Sequence, residues 1–180
     1  MLMKVLKYPD PFLTKVATVA DLQTPEEQRR LRTLAHDMFE TMYKNNGIGL
    51  AATQVGEDCR MFVISTNNWP LYNRDKEWEE FKSARNVYVN PVIVSKSEDT
   101  GYFNEGCLSV PGVTDQVVRA RSIEVEYQTL TGELVQEKLS GLMAECFQHE
   151  LDHLNGVIFI DHIPDKRRKK LDKKLGVNHE

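Results

Sequence analysis

The chain has 180 residues, 41% of them hydrophobic and 28% charged, with a formal net charge of −4. This is the make-up of one soluble domain able to bury a core without disulfide staples, and no apolar run reaches the roughly 18–20 residues that span a bilayer. Three cysteines, Cys59, Cys107 and Cys146, are an odd and low count that argues against a secreted disulfide framework and for a reducing, cytoplasmic setting.

The start, MLMKVLKYPDPFL, lacks the apolar core and small-residue cleavage site of a signal peptide, so structure is expected to begin almost at once. Thr24-Pro25-Glu26-Glu27 reads as a helix start: Thr24 caps, Pro25 suits the first helical position and Glu27 completes a capping box. Leu31, Leu34, Met38 and Met42 follow at helical spacing, and Asn45-Asn46-Gly47 ends the run. A glycine-rich bend, Gly47-Ile48-Gly49-Leu50, leads into small residues. Arg60 to Ser65 then reads as a buried strand.

Residues 67–85 are polar and highly charged, an excursion expected on the surface. Asn86 to Val94 predicts one or two strands interrupted by Pro91, which favours an edge or a bend. Ser122 to Gln128 alternates apolar and polar residues, Thr131-Gly132 marks a turn, and Leu134 to Leu139 returns as a hairpin. Ser140 is placed to cap the next helix, which stops at Asn155-Gly156. A terminal helix covers about 164–176. Helices and antiparallel hairpins around one long helix give an α+β class, with 1–180 as a single domain.

The long helix carries FQHELDH. His149 and His153 lie four apart, so they stack on one helical face and can close on one ion. Glu150 sits about 100° round the axis from His149, where a carboxylate can take a proton from water activated at such an ion. The alternative is a polar patch on an ordinary helix. Two histidines leave a catalytic ion short of its usual third protein ligand. Cys146 lies about 10 Å along the axis from His153, too far to share one ion, and is better read as buried filler. Spacing favours Cys107, which follows Gly106, over Cys59, but leaves both open.

GIGLAATQ at 47–54, EGCLS at 105–109 and QHELDHLNG at 148–156 resemble, in order and separation, the three signature motifs of the peptide deformylases. The opening KYPDPFL is similar to the family's N-terminal stretch, so the resemblance spans essentially the whole chain. It implies antiparallel sheets around the helix bearing HExxH, with an N-terminal and a C-terminal helix. It also implies removal of the formyl group from N-formylmethionyl nascent peptides. The metal ligands would be Cys107, His149 and His153, and Glu150 would be the general acid and base. The Gln54 side chain and the Leu108 backbone N–H would stabilise the oxyanion, and backbone groups of Ile48, Gly49 and Gly106 would pair with the substrate. The implied cofactor is one divalent ion, Fe2+ in the cell, with Zn2+, Ni2+ or Co2+ able to replace it in purified protein.

Some features depart from the family pattern. The 67–85 excursion is longer than a minimal member needs. Thr114 and Asp115 stand where the family often offers a basic side chain near the substrate. Arg119 is expected as a structural ion-pair partner of Glu105. Two rival functions are a metallo-endopeptidase of the HExxH type, with His162 as its third ligand, and a ribosome- or RNA-binding module with a structural metal. The second rests on Lys166–Lys174, KRRKKLDKK, which carries +6 and leaves about −10 on the rest by subtraction. Such a run is either a solvated helix face or a contact for ribosomal RNA.

Overall fold

Strand β2, Met61–Ser65, is buried on both faces, and its alternation divides the core into two clusters. Met61 and Val63 pack against helix α1, Pro25–Lys44, through Leu31, Leu34, Met38, Phe39 and Met42. Phe62 and Ile64 pack instead against helix α2, Gly141–Leu154, through Phe147, Leu151 and Leu154. Side chains alternate across a strand, so a buried run with four consecutive apolar residues requires a helix on each side. This account rests on a computed structural model that describes residues 1–66 and 85–177.

Around β2 lies a five-stranded antiparallel sheet in the order β1-β2-β3-β6-β7. It contains β1, Gly49–Ala51; β3, Arg85–Lys96; β6, Ser122–Gln128; and β7, Leu134–Ser140. The hairpin of β4, Thr100–Cys107, and β5, Val110–Ala120, forms a separate two-stranded sheet. Below it a third cluster gathers Leu13, Val117, Phe159 and Ile163, on which Leu171 and Leu175 of α3, Asp165–Leu175, also pack. The class is α+β, and HExxH lies in α2, which packs against β1, β2, β5, β6 and β7. No described helix is long and apolar enough to cross a membrane.

Local expectations meet the structure in different ways. Thr24 caps α1, its Oγ1 accepting from the Glu27 N–H at 3.2 Å. The Glu27 carboxylate does not complete the box; it binds Arg30 at 2.7 and 2.8 Å, a fork of charge-assisted bonds that outcompetes one neutral N–H. Ser140 makes no side-chain cap because it still belongs to β7, opposite Ser122; α2 begins at Gly141 with φ 57°. Pro91 neither divides β3 nor puts it at an edge. The ladder carries a bulge between Val89 and Val92, where Asn90 takes φ 50°. The Asn90 side chain accepts from Ala20 N at 2.8 Å and donates to Gln128 Oε1 at 2.7 Å, which holds the kink inside the sheet. Of the predicted excursion, 67–84 lie outside the described residues.

The ring of Phe147 stands 5.0 Å from that of Phe62 and 5.1 Å from that of Tyr88, edge-on to both, directly behind the histidine face of α2. Phe147→Ala is expected to lower the unfolding free energy by about 3–5 kcal/mol, measured by urea denaturation.

Candidate metal centre

Two elements bring the predicted ligands together. Cys107 ends β4 at a register shift, after which the chain turns sharply into Val110 of β5. His149 and His153 project from successive turns of α2, with ring centroids 5.0 Å apart. The Cys107 Sγ lies 3.2 Å from His153 Nε2, and one donor atom from each of the three residues falls within 4.8 Å of the others. Cys146 and Cys59 are buried in the two separate cores on either side of the sheet, so they are packing residues. Helix geometry had already set Cys146 aside, while spacing had left Cys107 and Cys59 both open.

The surrounding groups fix the orientation of His149. Its Nδ1 meets Glu105 Oε2 at 2.8 Å, which leaves Nε2 for the centre. Glu105 takes both prongs of Arg119, at 2.7 and 3.0 Å, the ion pair expected from the sequence. Arg119 also reaches Asp152 at 2.6 Å, and Asp152 meets His162 Nε2 at 2.7 Å. His162 therefore ends a chain of polar contacts and is not part of the ligand cluster, which removes the structural basis for the endopeptidase reading.

Charge inside this network follows from the partners. Burial raises the Cys107 thiol, but the imidazoles of His153 and His149 outweigh it and hold the thiol well below its ordinary range. Burial lowers His149, yet Cys107 and Glu105 together raise it well above the usual imidazole value. Glu105 is also penalised by burial, but His149 and Arg119 bring it down to about 2. A thiolate and two imidazole nitrogens converging on one point suit a borderline divalent ion, so the residues fit the metal implied by the sequence motifs.

Glu150 lies on the same helix and is only 4% exposed. Burial pushes its carboxyl up to about 7, and Oε2 has no hydrogen-bond partner among the described residues. Gln54 has its amide direction set by Ala51, whose N–H donates to Oε1 at 2.8 Å. Its Nε2 then faces Ser109 Oγ at 3.1 Å and Cys107 Sγ at 3.3 Å. The Ser109 N–H also donates to Sγ, at 3.4 Å. Neither Ser109 nor Lys7, whose Nζ donates to the Leu108 carbonyl at 2.5 Å, was singled out from the sequence. The serine of EGCLS was the available signal for the first, while nothing local marks the second.

Beside the centre, β1 is the outer strand of its sheet. Ile48 uses its carbonyl to accept from Ser65 N at 2.8 Å, and Gly49 faces Ile64. Hydrogen-bonded pairs alternate along an antiparallel ladder, so the N–H and C=O of Gly49 point to the open side. Gly106 is exposed at the end of β4, where a Cβ would meet only Thr114 Cγ2 at 3.3 Å and Val113 O at 3.5 Å. The region where a basic side chain was missed is not without charge: Asp115 pairs with Arg167 of α3 at 2.7 Å.

Sulfur and imidazole donors closing on one point next to a buried carboxylate are the equipment of a metal-dependent hydrolase. The comparisons with known proteins narrow that class. Residues 2–169 match the polypeptide deformylase family model. The peptide deformylase of Afipia carboxidovorans is 41% identical over 172 residues, covering 96% of this chain and 92% of that protein. The crystal structure of a peptide deformylase from Legionella pneumophila superposes with a TM-score of 0.82 at 39% identity, over 98% of this chain and 94% of that one. A Met-Ala-Ser-bound class I type b peptide deformylase from Acinetobacter baumannii gives a TM-score of 0.78 at 36% identity, over 91% and 99%. The chain belongs to the polypeptide deformylase family.

Arg119→Met strands Glu105 and Asp152 without their cation and is expected to cost about 3–5 kcal/mol of stability in chemical unfolding. His162→Ala, at the half-exposed end of the network, is expected to cost under about 1 kcal/mol and to leave bound metal per chain unchanged.

Proposed function

We propose that this protein removes the formyl group from the N-terminal formylmethionine of newly made polypeptides in the cytoplasm, releasing formate, with residues 1–180 acting as one catalytic domain. The observation that carries this reading is the Cys107, His149 and His153 cluster with Glu150 buried beside it at the open edge of β1. Cys107 Sγ and the two imidazoles would hold the ion, Fe2+ in the cell, with Zn2+, Ni2+ or Co2+ able to take its place. When bound, such an ion supplies a Lewis acid that polarises the formyl oxygen and makes water a nucleophile near neutral pH.

The chain's own groups do the rest. Gly49 offers its free N–H and C=O to an extended substrate backbone, which adds to β1 as another strand, with Gly106 on the far side. Ile48, partly buried beside Gly49, forms the neighbouring wall. The Met-Ala-Ser complex of the Acinetobacter relative supports a methionine-first peptide in this cleft. Glu150 takes the proton from the attacking water and passes it to the departing amine. Its buried position favours the exchange, because a carboxyl raised to about 7 can carry the proton at neutral pH. The Gln54 amide and the Leu108 N–H meet the negative charge that develops on the formyl oxygen.

Glu150→Gln should retain bound metal and lose about 10²–10⁴ in kcat for formate release from formyl-Met-Ala. Cys107→Ala should lose the metal. Retention of near-normal kcat by Glu150→Gln would remove Glu150 from the proton-carrying role.

The finer reading of the basic tail is contact with the ribosome. Arg168 faces inward, pairing with Asp161 and Asp172, while the exposed Arg167 pairs with Asp115 at the edge of that face. Lys166, Lys169, Lys170, Lys173 and Lys174 are all exposed and fall on the opposite face of α3. This solvent-facing row suits ribosomal RNA phosphates. Changing these lysines to Glu leaves the docked face intact. It should abolish salt-sensitive co-sedimentation with ribosomes while kcat on formyl-Met-Ala stays the same; unchanged co-sedimentation would refute the contact.

A further inference from the structure

Gly49 is a glycine for a reason separate from substrate approach. Its φ lies outside the left-handed region, so the backbone there does not demand glycine. Space does. A Cβ built on Gly49 would stand 2.2 Å from Glu150 Oε1, 2.8 Å from Cδ and 2.9 Å from Cγ. The whole outer half of the glutamate side chain therefore lies across this one residue of β1. Gly106 makes a useful contrast, since its nearest neighbour would be a methyl group at 3.3 Å.

Glu150 has little freedom to yield. It is buried, and its helix is pinned by Phe147, Leu151 and Leu154 in the core beneath the sheet. Rolling α2 to make room would drag His149 and His153 with it, because all three leave the same helix. The opposite adjustment, moving β1 outward, is resisted by its pairing with β2, from Gly49–Ile64 to Ala51–Phe62. A methyl group at position 49 must therefore act first on where the carboxylate stands.

We infer that Gly49 is a positioning residue for Glu150: the bare edge of β1 is the seat against which the carboxylate is held beside the ligand cluster. The inference rests on the reading of Glu150 as the proton carrier, and the experiment separates the two. Gly49→Ala, Glu150→Asp and the double variant are compared for kcat and KM on formyl-Met-Ala, for bound metal per chain, and for the midpoint of thermal unfolding. Aspartate is one methylene shorter, so it vacates the space that the methyl needs.

Gly49→Ala alone is expected to lower kcat on the order of 10²-fold, the penalty of misplacing a reacting group by about 1 Å. KM and metal content should change little, and the unfolding midpoint should fall. In the Glu150→Asp background the same change should alter kcat by no more than about twofold, the scatter of independent sites, and should leave the midpoint nearly unmoved. Equal losses in both backgrounds overturn the inference, as does a rise in KM with kcat intact, which would assign Gly49 to substrate approach alone. If Gly49→Ala fails to fold, recovery of folding in the double variant supports the seat and failure to recover overturns it. Should Glu150→Gln prove active, the proton-carrier reading falls, yet the coupling in unfolding would still report whether the seat exists.

Discussion

A buried polar group must find a partner or lose stability, and helix α2 is built around that constraint. One side of it carries Phe147, Leu151 and Leu154 into the core, while His149, Glu150 and His153 are buried or nearly so on the other. His149 is satisfied by Glu105, Glu105 by Arg119, and Arg119 by Asp152, which in turn meets His162 near the surface. The charge brought inside is thus passed outward in steps until water can share it. Among the described residues, Glu150 Oε2 and His153 Nδ1 are left without a partner on this helix. An orphaned oxygen on a carboxylate at the cleft is what a group that exchanges protons with a bound molecule requires.

The same constraint explains the loop that supplies the sulfur. A thiolate in an apolar setting is unfavourable, and Cys107 accepts from Gln54 Nε2 and the Ser109 N–H, with the His153 ring beside it. Gln54 reaches it only because Ala51 holds the other end of the amide. The bend at 47–54 and the turn at 107–110 therefore form one unit, although more than fifty residues separate them. Lys7 brings in a third segment of chain, its Nζ donating to the Leu108 carbonyl.

How much of this was legible depended on distance along the chain. Local periodicity was enough for α1, β2, the β6–β7 hairpin and α2, since each depends on neighbours within a turn or a strand. The pair His149–His153 was legible for the same reason. Cys107 could not be separated from Cys59 by spacing, because what distinguishes them is where the fold carries each: Cys107 to the end of β4 beside the histidines, Cys59 into the core under α1. Pro91 misled for a related reason: its disruption of β3 is absorbed by Asn90, whose partners Ala20 and Gln128 come from remote segments. Glu27 and Ser140 show the limit even of local rules. A capping role was available to each, but Arg30 offered Glu27 stronger bonds, and continued pairing with Ser122 kept Ser140 in a strand.

Strand β1 shows how one short element can meet opposed demands. A long exposed edge invites unwanted pairing, and natural sheets limit it by keeping edge strands short. At Gly49–Ala51 the edge has three residues, of which Leu50 and Ala51 are fully buried, so Gly49 presents nearly all of its free hydrogen-bonding capacity. That position is also where the carboxylate of Glu150 lies against the chain. On the proposed reading of Gly49 and Glu150, a substrate strand paired with Gly49 would be registered against the carboxylate by the same residue that seats it. Binding and chemistry would then share one coordinate frame, and a shift of β1 relative to α2 would disturb both together.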